Sequence, residues 1–340
     1  MTDRAAQMAA FLIPTGWGDA ARTPLAGDAS LRRYVRLDRG GQSAMLMDAP
    51  PDTGENVRPF LEIAGWLTRH GASAPGIIAD DAEAGFLLME DLDDDLLARR
   101  STRHPEEEAD LYAEAARLLA ELQRHDPPDR PSYLDDMPDL AATVVDWYAP
   151  DARAHRDAIR DAVAEVMDRH LTGRQVFVHR DYHAENLLWL PDRAGTARIG
   201  VLDFQDAMRG PAEYDLASLI HDPRRPVSDA AVTSATRAFL DASGGDAKTT
   251  ATRIAICSVQ RSLRIIGRVF TRLCLHSGRT SYLRFIPPTW TALQRELRHP
   301  TLAPVRAALD GLLPVPDARW LAEIEARAGS LHGRDHAGAE

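Results

Sequence analysis

Three polar residues between Val176 and Asp206 have the types and spacing to do chemistry: Asp181, Asn186 and Asp203. Around them, short apolar runs alternate with polar breaks. Gln175 to Val178 is β-rich and is followed abruptly by His179, Arg180, Asp181, Tyr182 and His183. Leu187 to Leu190 and Ile199 to Leu202 are two further runs, and Pro191 to Gly195 between them reads as a turn. Pairing these two runs as a hairpin brings Asn186 and Asp203 to one edge. An amide oxygen and a carboxylate meeting there suit Mg²⁺, a hard ion that takes oxygen ligands and accompanies phosphates. Asp181, on the loop leading into Asn186, adds a carboxylate able to act as a base. A base beside two metal-ligand oxygens is the equipment of phosphoryl transfer.

Two other readings of the same residues stay open at this stage. His179, Asp181, His183 and Glu185 alternate, so on a strand they would offer zinc ligands. That reading leaves Asn186 and the Asp203 segment without a role. Alternatively, the stretch is a buried polar turn that satisfies its own backbone. His179 itself reads as a strut for the loop.

The order His179-Arg180-Asp181, then Asn186, then Asp203-Phe204 resembles the kinase catalytic loop and metal-binding aspartate. Gln205 stands where that signature has glycine, and His183 where protein kinases carry lysine. In this the pattern is similar to the aminoglycoside phosphotransferase-like branch, which phosphorylates small molecules. The resemblance implies an α+β, protein kinase-like two-lobe fold, with a small antiparallel-sheet N-lobe and a larger, mainly helical C-lobe. It places the N-lobe at residues 1–90, the C-lobe at 91–328 and a flexible tail at 329–340. It also implies that Asp215 hydrogen-bonds the catalytic loop from below, and that Glu90 and Leu92, at the crossover between lobes, lie beside adenine. ATP and Mg²⁺ are the implied cofactors.

The elements that must position these residues follow from the rest of the chain. Arg4 to Trp17 suggests a short helix. Residues 23–26 and 31–37 flank the turn Gly27-Asp28-Ala29-Ser30, whose backbone N–H groups could cover phosphates. Ser30, Arg32 and Arg33 are therefore nucleotide-side candidates. A kinase-like sheet should carry a phosphate-binding lysine, yet Lys248 is the only lysine in the chain and lies far beyond this sheet. Arg32, Arg33 and Arg36 are its candidate replacements. A helix over Asn56 to Arg69 and strands at Ile77-Ile78 and Gly85 to Met89 complete the small lobe. Helices are expected over Glu106 to Arg124 and Asp151 to Leu171, with irregular chain from Pro127 to Pro150 contributing to an acceptor pocket. Gly210-Pro211 followed by acidic residues marks another helix start.

From Thr249 to Gln294 there is no Asp or Glu, and Arg261, Arg264, Arg268 and Arg272 recur at helical spacing. They form either a solvated or lobe-contacting face, or an anion-facing wall near the acceptor. With His183, the first three are the substrate-side candidates.

The chain has 340 residues and a formal net charge of -11, a balance that disfavours nucleic acid as partner. No run has the apolar length of a membrane span, and the start of the chain does not read as a signal peptide. Cys257 and Cys274 fit free thiols in a reducing cytoplasm.

Several segments resemble a narrower group: Gly27 to Tyr34, Met47-Asp48-Ala49-Pro50-Pro51, Asp203 to Ala207, and the run from Gln260 to Leu283. They are similar to the anomeric N-acetylmuramate/N-acetylglucosamine kinases of bacterial cell-wall recycling, which likewise dispense with the lysine. The resemblance implies ATP-dependent phosphorylation of the anomeric hydroxyl of a small amino sugar. The rival expectations are an aminoglycoside or other amino-alcohol O-phosphotransferase, and an inactive kinase-like binding module.

Overall fold

The computed structural model describes residues 4–25 and 31–332. Its strands are β1 (Ala21–Pro24), β2 (Arg33–Arg39), β3 (Gln42–Asp48), β4 (Ile77–Asp81) and β5 (Phe86–Glu90), followed by β6 (Val176–Val178), β7 (Leu187–Trp189), β8 (Ile199–Val201) and β9 (Met208–Gly210). The helices used below are α1 (Arg4–Leu12), α2 (Arg58–Arg69), α3 (Leu97–Arg103), α4 (Glu108–Leu122), α5 (Tyr133–Ala142) and α6 (Val144–Trp147). They continue with α7 (Arg156–His170), α8 (Glu213–Ile220), α9 (Asp229–Ser243), α10 (Ala247–Arg264) and α11 (Arg272–Ser277). Packing divides the chain into two compact units, Met1–Pro105 with Ala184–Ala207, and Glu106–His183 with Met208–Glu340.

The first unit is built on an antiparallel five-stranded sheet in the order β1-β2-β3-β5-β4. Period-two alternation puts Leu37, Ala44, Leu46, Phe86 and Leu88 on one face, where they cluster with Leu12 and Trp17. Arg4 pins α1 to this sheet, bonding Asp48 at 2.6 Å and lying over the Phe86 ring. On α2, Phe60, Ile63, Ala64 and Leu67 follow the i, i+3, i+4, i+7 stripe and are buried.

The β7–β8 hairpin belongs to this unit, in register Leu187↔Val201. Ser73 holds it on both sides: its hydroxyl donates to the Ala197 carbonyl at 2.6 Å, and its carbonyl accepts from Val201 N at 2.8 Å. Residues 91–105 and the hairpin segment go with the sheet.

The second unit is mainly helical, with one small ladder in which β6 pairs antiparallel to β9. The chain from Pro127 to Pro150, expected to be irregular, contains α5 and α6. Tyr133, Met137 and Ala141 form an apolar stripe at spacing four that is fully buried, and this burial outweighs Pro138 inside the helix. Helix α9, which the sequence reading did not assign, is capped by Ser228, whose hydroxyl accepts from Ala231 N, and it ends at Gly244 with φ +69°.

Helix α10 passes into a π-helical turn, Ile265–Thr271, before α11. Gly267 is required there: a Cβ would come within 2.7 Å of the Thr143 carbonyl and the Val144 Cα. The tail expected to be flexible from 329 is tied at its start, because Gly329 N and Leu331 N donate to the carbonyls of Cys274 and Leu275. No helix among the described residues is long and apolar enough to cross a membrane.

Candidate active site

In the second unit, β6 is a fully buried Val-Phe-Val run that delivers the chain to His179. The strand then stops abruptly, because Arg180 adopts φ +77°, a region costly for a side chain with a Cβ. Asp215, in the first turn of α8, offsets that cost. One of its carboxylate oxygens accepts His179 N at 2.6 Å and the other accepts Arg180 N at 3.0 Å. Burial is the first influence on Asp215 and pushes its pKa up to about 6, against the pull of His179 and the two N–H groups.

His179 lies beneath the loop, 1% exposed, with Nδ1 accepting Asp181 N at 3.3 Å. Tyr182 fastens the loop to α4 by donating to the Ala115 carbonyl at 2.9 Å. Because the turn at Arg180 breaks the alternation, His179, Asp181, His183 and Glu185 do not share one strand face. The zinc reading loses its premise.

Asp181 keeps 42% of its side chain exposed and faces Arg264, with Nη2 to Oδ1 at 3.6 Å. Burial works to raise its pKa, but Arg264, then His183, Arg261 and Arg224, outweigh it and hold the carboxyl below the usual range. Solvent at the exposed part screens these charges. His183 is buried, and burial followed by the charge of Arg224 keeps its imidazole neutral at physiological pH. The unit thus gathers Asp181 with His183, Arg261 and Arg264.

Arg261 and Arg264 are only 3% and 6% exposed, so the expectation of a solvated arginine face does not hold for these two. The π-helical turn also spreads the series. Arg264 turns to Asp181, whereas Arg272 lies over the Trp147 ring at 5.9 Å. Sequence reasoning missed Arg224, which arrives from the loop after α8 and pairs with Asp222 at 3.6 Å. No periodicity marks it. Arg180, the middle residue of the His-Arg-Asp motif, lies over Tyr133 at 5.0 Å.

In the first unit, Leu202 N donates to the Asn186 carbonyl at 2.9 Å, closing the hairpin immediately before Asp203. Asn186 and Asp203 therefore stand at the same end of one two-stranded ladder. Asp203 has φ +57°, and Gln205 Nε2 donates to its Oδ1 at 2.9 Å. Phe204 anchors the turn, fully buried with its ring centroid 4.6 Å from that of Phe60. An amide oxygen and a carboxylate presented together by a braced turn fit a small hard cation such as Mg²⁺.

The nucleotide-side candidates fare unequally. Ser30 and the rest of the turn 26–30 lie outside the described residues. Arg32 Nε bonds Glu55 at 2.7 Å, and Arg36 bridges Asp91 and Asp94, both at 2.7 Å. The side chain of Arg33, at the exposed start of β2, makes no hydrogen bond or ion pair with another described residue. Glu90 accepts from Arg193 at 2.5 Å and from Gly76 N at 3.2 Å, so its side chain is structurally engaged. Leu92 is 6% exposed.

The profile of the phosphotransferase enzyme family matches residues 21–251. An N-acetylmuramate/N-acetylglucosamine kinase of Caulobacter vibrioides is 36% identical, over 94% of this chain and 99% of its own. A protein of the same name from Pseudomonas aeruginosa is 32% identical, over 89% of this chain and 92% of its own. The chain belongs to the phosphotransferase enzyme family. Among solved structures, a choline/ethanolamine kinase family protein from Mesorhizobium loti shares the fold, with a TM-score of 0.59 at 15% identity over 90% of this chain and 99% of that one. The small antiparallel sheet and the larger helical part are those of the kinase-like fold. The family match takes in Asp181, Asn186, Asp203 and Asp215 but ends at residue 251, before the arginine-bearing half of α10.

Proposed function

We propose that this phosphotransferase uses ATP to phosphorylate the anomeric hydroxyl of N-acetylmuramate, N-acetylglucosamine or both, as a step in cell-wall sugar recycling. The observation that carries the reading is the similarity to the two bacterial amino-sugar kinases, which extends over nearly the full length of both partners. Asp181 accepts the proton of the attacking hydroxyl. Its carboxylate is held ionised by Arg264, so it is ready as a base at neutral pH. Asp215, acting through the backbone of His179 and Arg180, fixes where that carboxylate stands. Asn186 and Asp203 would hold Mg²⁺, which when bound neutralises charge on the phosphates. Arg33 is the remaining candidate for the charge that lysine supplies elsewhere in the kinase fold.

A cytoplasmic setting is supported by the two buried, unpaired cysteines Cys257 and Cys274. A polycationic aminoglycoside is a poor match for an acceptor side rich in arginine, and the net charge of -11 argues against nucleic acid. The deciding experiment incubates the protein with ATP, Mg²⁺ and each sugar and follows the sugar phosphate by phosphorus NMR, with an aminoglycoside and a no-acceptor control in parallel. A new anomeric phosphate signal with either sugar is the expected result. Phosphorylation of the aminoglycoside alone, or nucleotide binding without turnover, overturns the reading.

A further inference from the structure

The arginines around α10 differ in what they already touch. Arg264 faces Asp181 and Arg272 lies over Trp147. Arg261 is 3% exposed. The side chains of Arg261 and Arg268 make no hydrogen bond or ion pair with any described residue, but Arg261 is enclosed whereas Arg268 is only half-buried and so remains open to an incoming group. Its backbone is not loose. Gly267, the preceding residue, abuts the Thr143–Val144 backbone so closely that no side chain fits there, and this fixes the turn from which Arg268 projects.

A half-buried guanidinium has given up part of its hydration without a protein partner to replace it. Burial lowers its pKa, and Arg272, Arg264 and Arg180 add to that effect, so the group is gathered among like charges. An anion arriving there relieves both costs. Since 249–294 contains no Asp or Glu, that anion is not supplied from the same segment.

We infer that Arg268 is the docking point for a carboxylate carried by the acceptor, and so sets the preference between acidic and neutral amino sugars. The inference rests on the amino-sugar reading above. N-acetylmuramate differs from N-acetylglucosamine by a lactyl ether that bears a carboxylate. Arg268 follows Arg264 by four residues, inside the π-helical turn that begins at Ile265, and Arg264 is the partner of the base. Arg264, beside Asp181, and Arg180, next to it in the loop, both act electrostatically on Arg268, so a ring substituent held there lies on the side of the base. A guanidinium offers the planar fork that binds a carboxylate through two parallel hydrogen bonds.

The test uses the full chain with Arg268→Met and Arg268→Lys, measuring kcat/KM for both sugars and, separately, sugar binding by calorimetry without ATP. Arg268→Met is expected to lower kcat/KM for N-acetylmuramate by about 10- to 100-fold, chiefly through KM, and to leave N-acetylglucosamine within about twofold. Arg268→Lys, which keeps the charge but not the fork, falls between. Equal losses on both sugars, or none, overturn the docking role while the amino-sugar reading stands. Arg268-dependent binding of N-acetylmuramate without phosphorylation by the parent protein upholds the docking role and overturns the reading. If neither sugar binds, both are overturned.

Discussion

The arginines of the sheet and those of α10 are used in opposite ways. In the first unit, Arg32 is joined to Glu55 and Arg36 to Asp91 and Asp94, while Arg4 holds Asp48. These charges cancel where they stand, and their work is architectural. In the second unit, Arg264 and Arg261, from a helix that supplies no acid, act on a single carboxylate, Asp181, joined by Arg224, which also pairs with Asp222. Charge left uncancelled inside a fold is costly unless a ligand or a reaction uses it. The contrast is the ground for proposing a functional role for the second set and a structural one for the first.

The comparison breaks most decisively at Asp181 itself. Asp181→Asn should lower turnover by roughly 10²–10⁴-fold while nucleotide binding persists, because only proton removal is lost. Near-normal turnover in steady-state assays would falsify the assignment of the base. The first unit contributes next. Asn186→Ala and Asp203→Ala should each raise the Mg²⁺ concentration for half-maximal rate by at least about 10-fold, or abolish turnover, since each removes an oxygen donor. Metal titrations that superimpose on the parent curve would leave these residues as bracing for the hairpin alone.

A smaller effect, seen on the acid side of the pH profile, is expected of Arg264→Met. Removing the nearest opposing charge lets burial act on Asp181 and raises its pKa, so the acid limb of the kcat/KM profile moves to higher pH. Arg32→Met, which removes an already paired charge, should leave that limb in place. A limb that fails to move in Arg264→Met, or that moves equally in both variants, would dissolve the distinction between the two sets.

How much of this was legible in the sequence depends on the distance over which each contact is made. The hairpin that unites Asn186 with Asp203 was legible because its two runs and its turn lie within one short segment, and connectivity alone brings the ends together. The sheet strands were legible as short runs flanking turns. Other features depend on partners remote in the chain. Glu55 claims Arg32 across a separation of 23 residues, and no local pattern forecasts it. Arg224 reaches Asp181 from a loop without periodicity. Helix α5 was hidden by Pro138, whose local signal is disruptive but whose neighbours Tyr133, Met137 and Ala141 are wholly buried. The arginine series was visible as a spacing, but the π-helical turn at 265–271 changes the angular step, so equal spacing does not mean one face.

The last expectation concerns the stability of the loop rather than its chemistry. Asp215 is fully buried, with a pKa pushed to about 6, whereas an unfolded aspartate titrates near 3.8. Between those values the folded chain holds a proton that the unfolded chain has released. The stabilisation from this proton is fully present below the unfolded pKa and is lost as pH rises through about 6. Its size is on the order of 2–3 kcal/mol from the linkage of one shifted group. Asp181, held below its usual range, has the opposite sign and loses its contribution only at more acidic pH. Urea unfolding of the parent and of Asp215→Asn at pH 4.5, 5.5 and 6.5 separates the two. The variant should be less stable throughout, because its amide accepts only one of the two N–H bonds from His179 and Arg180, at a cost of about 1–2 kcal/mol. It should also lack the parent's decline between pH 4.5 and 6.5. Parallel stability profiles for the two proteins would mean that Asp215 does not exchange a proton in this range, and that it braces the loop as a permanent carboxylate.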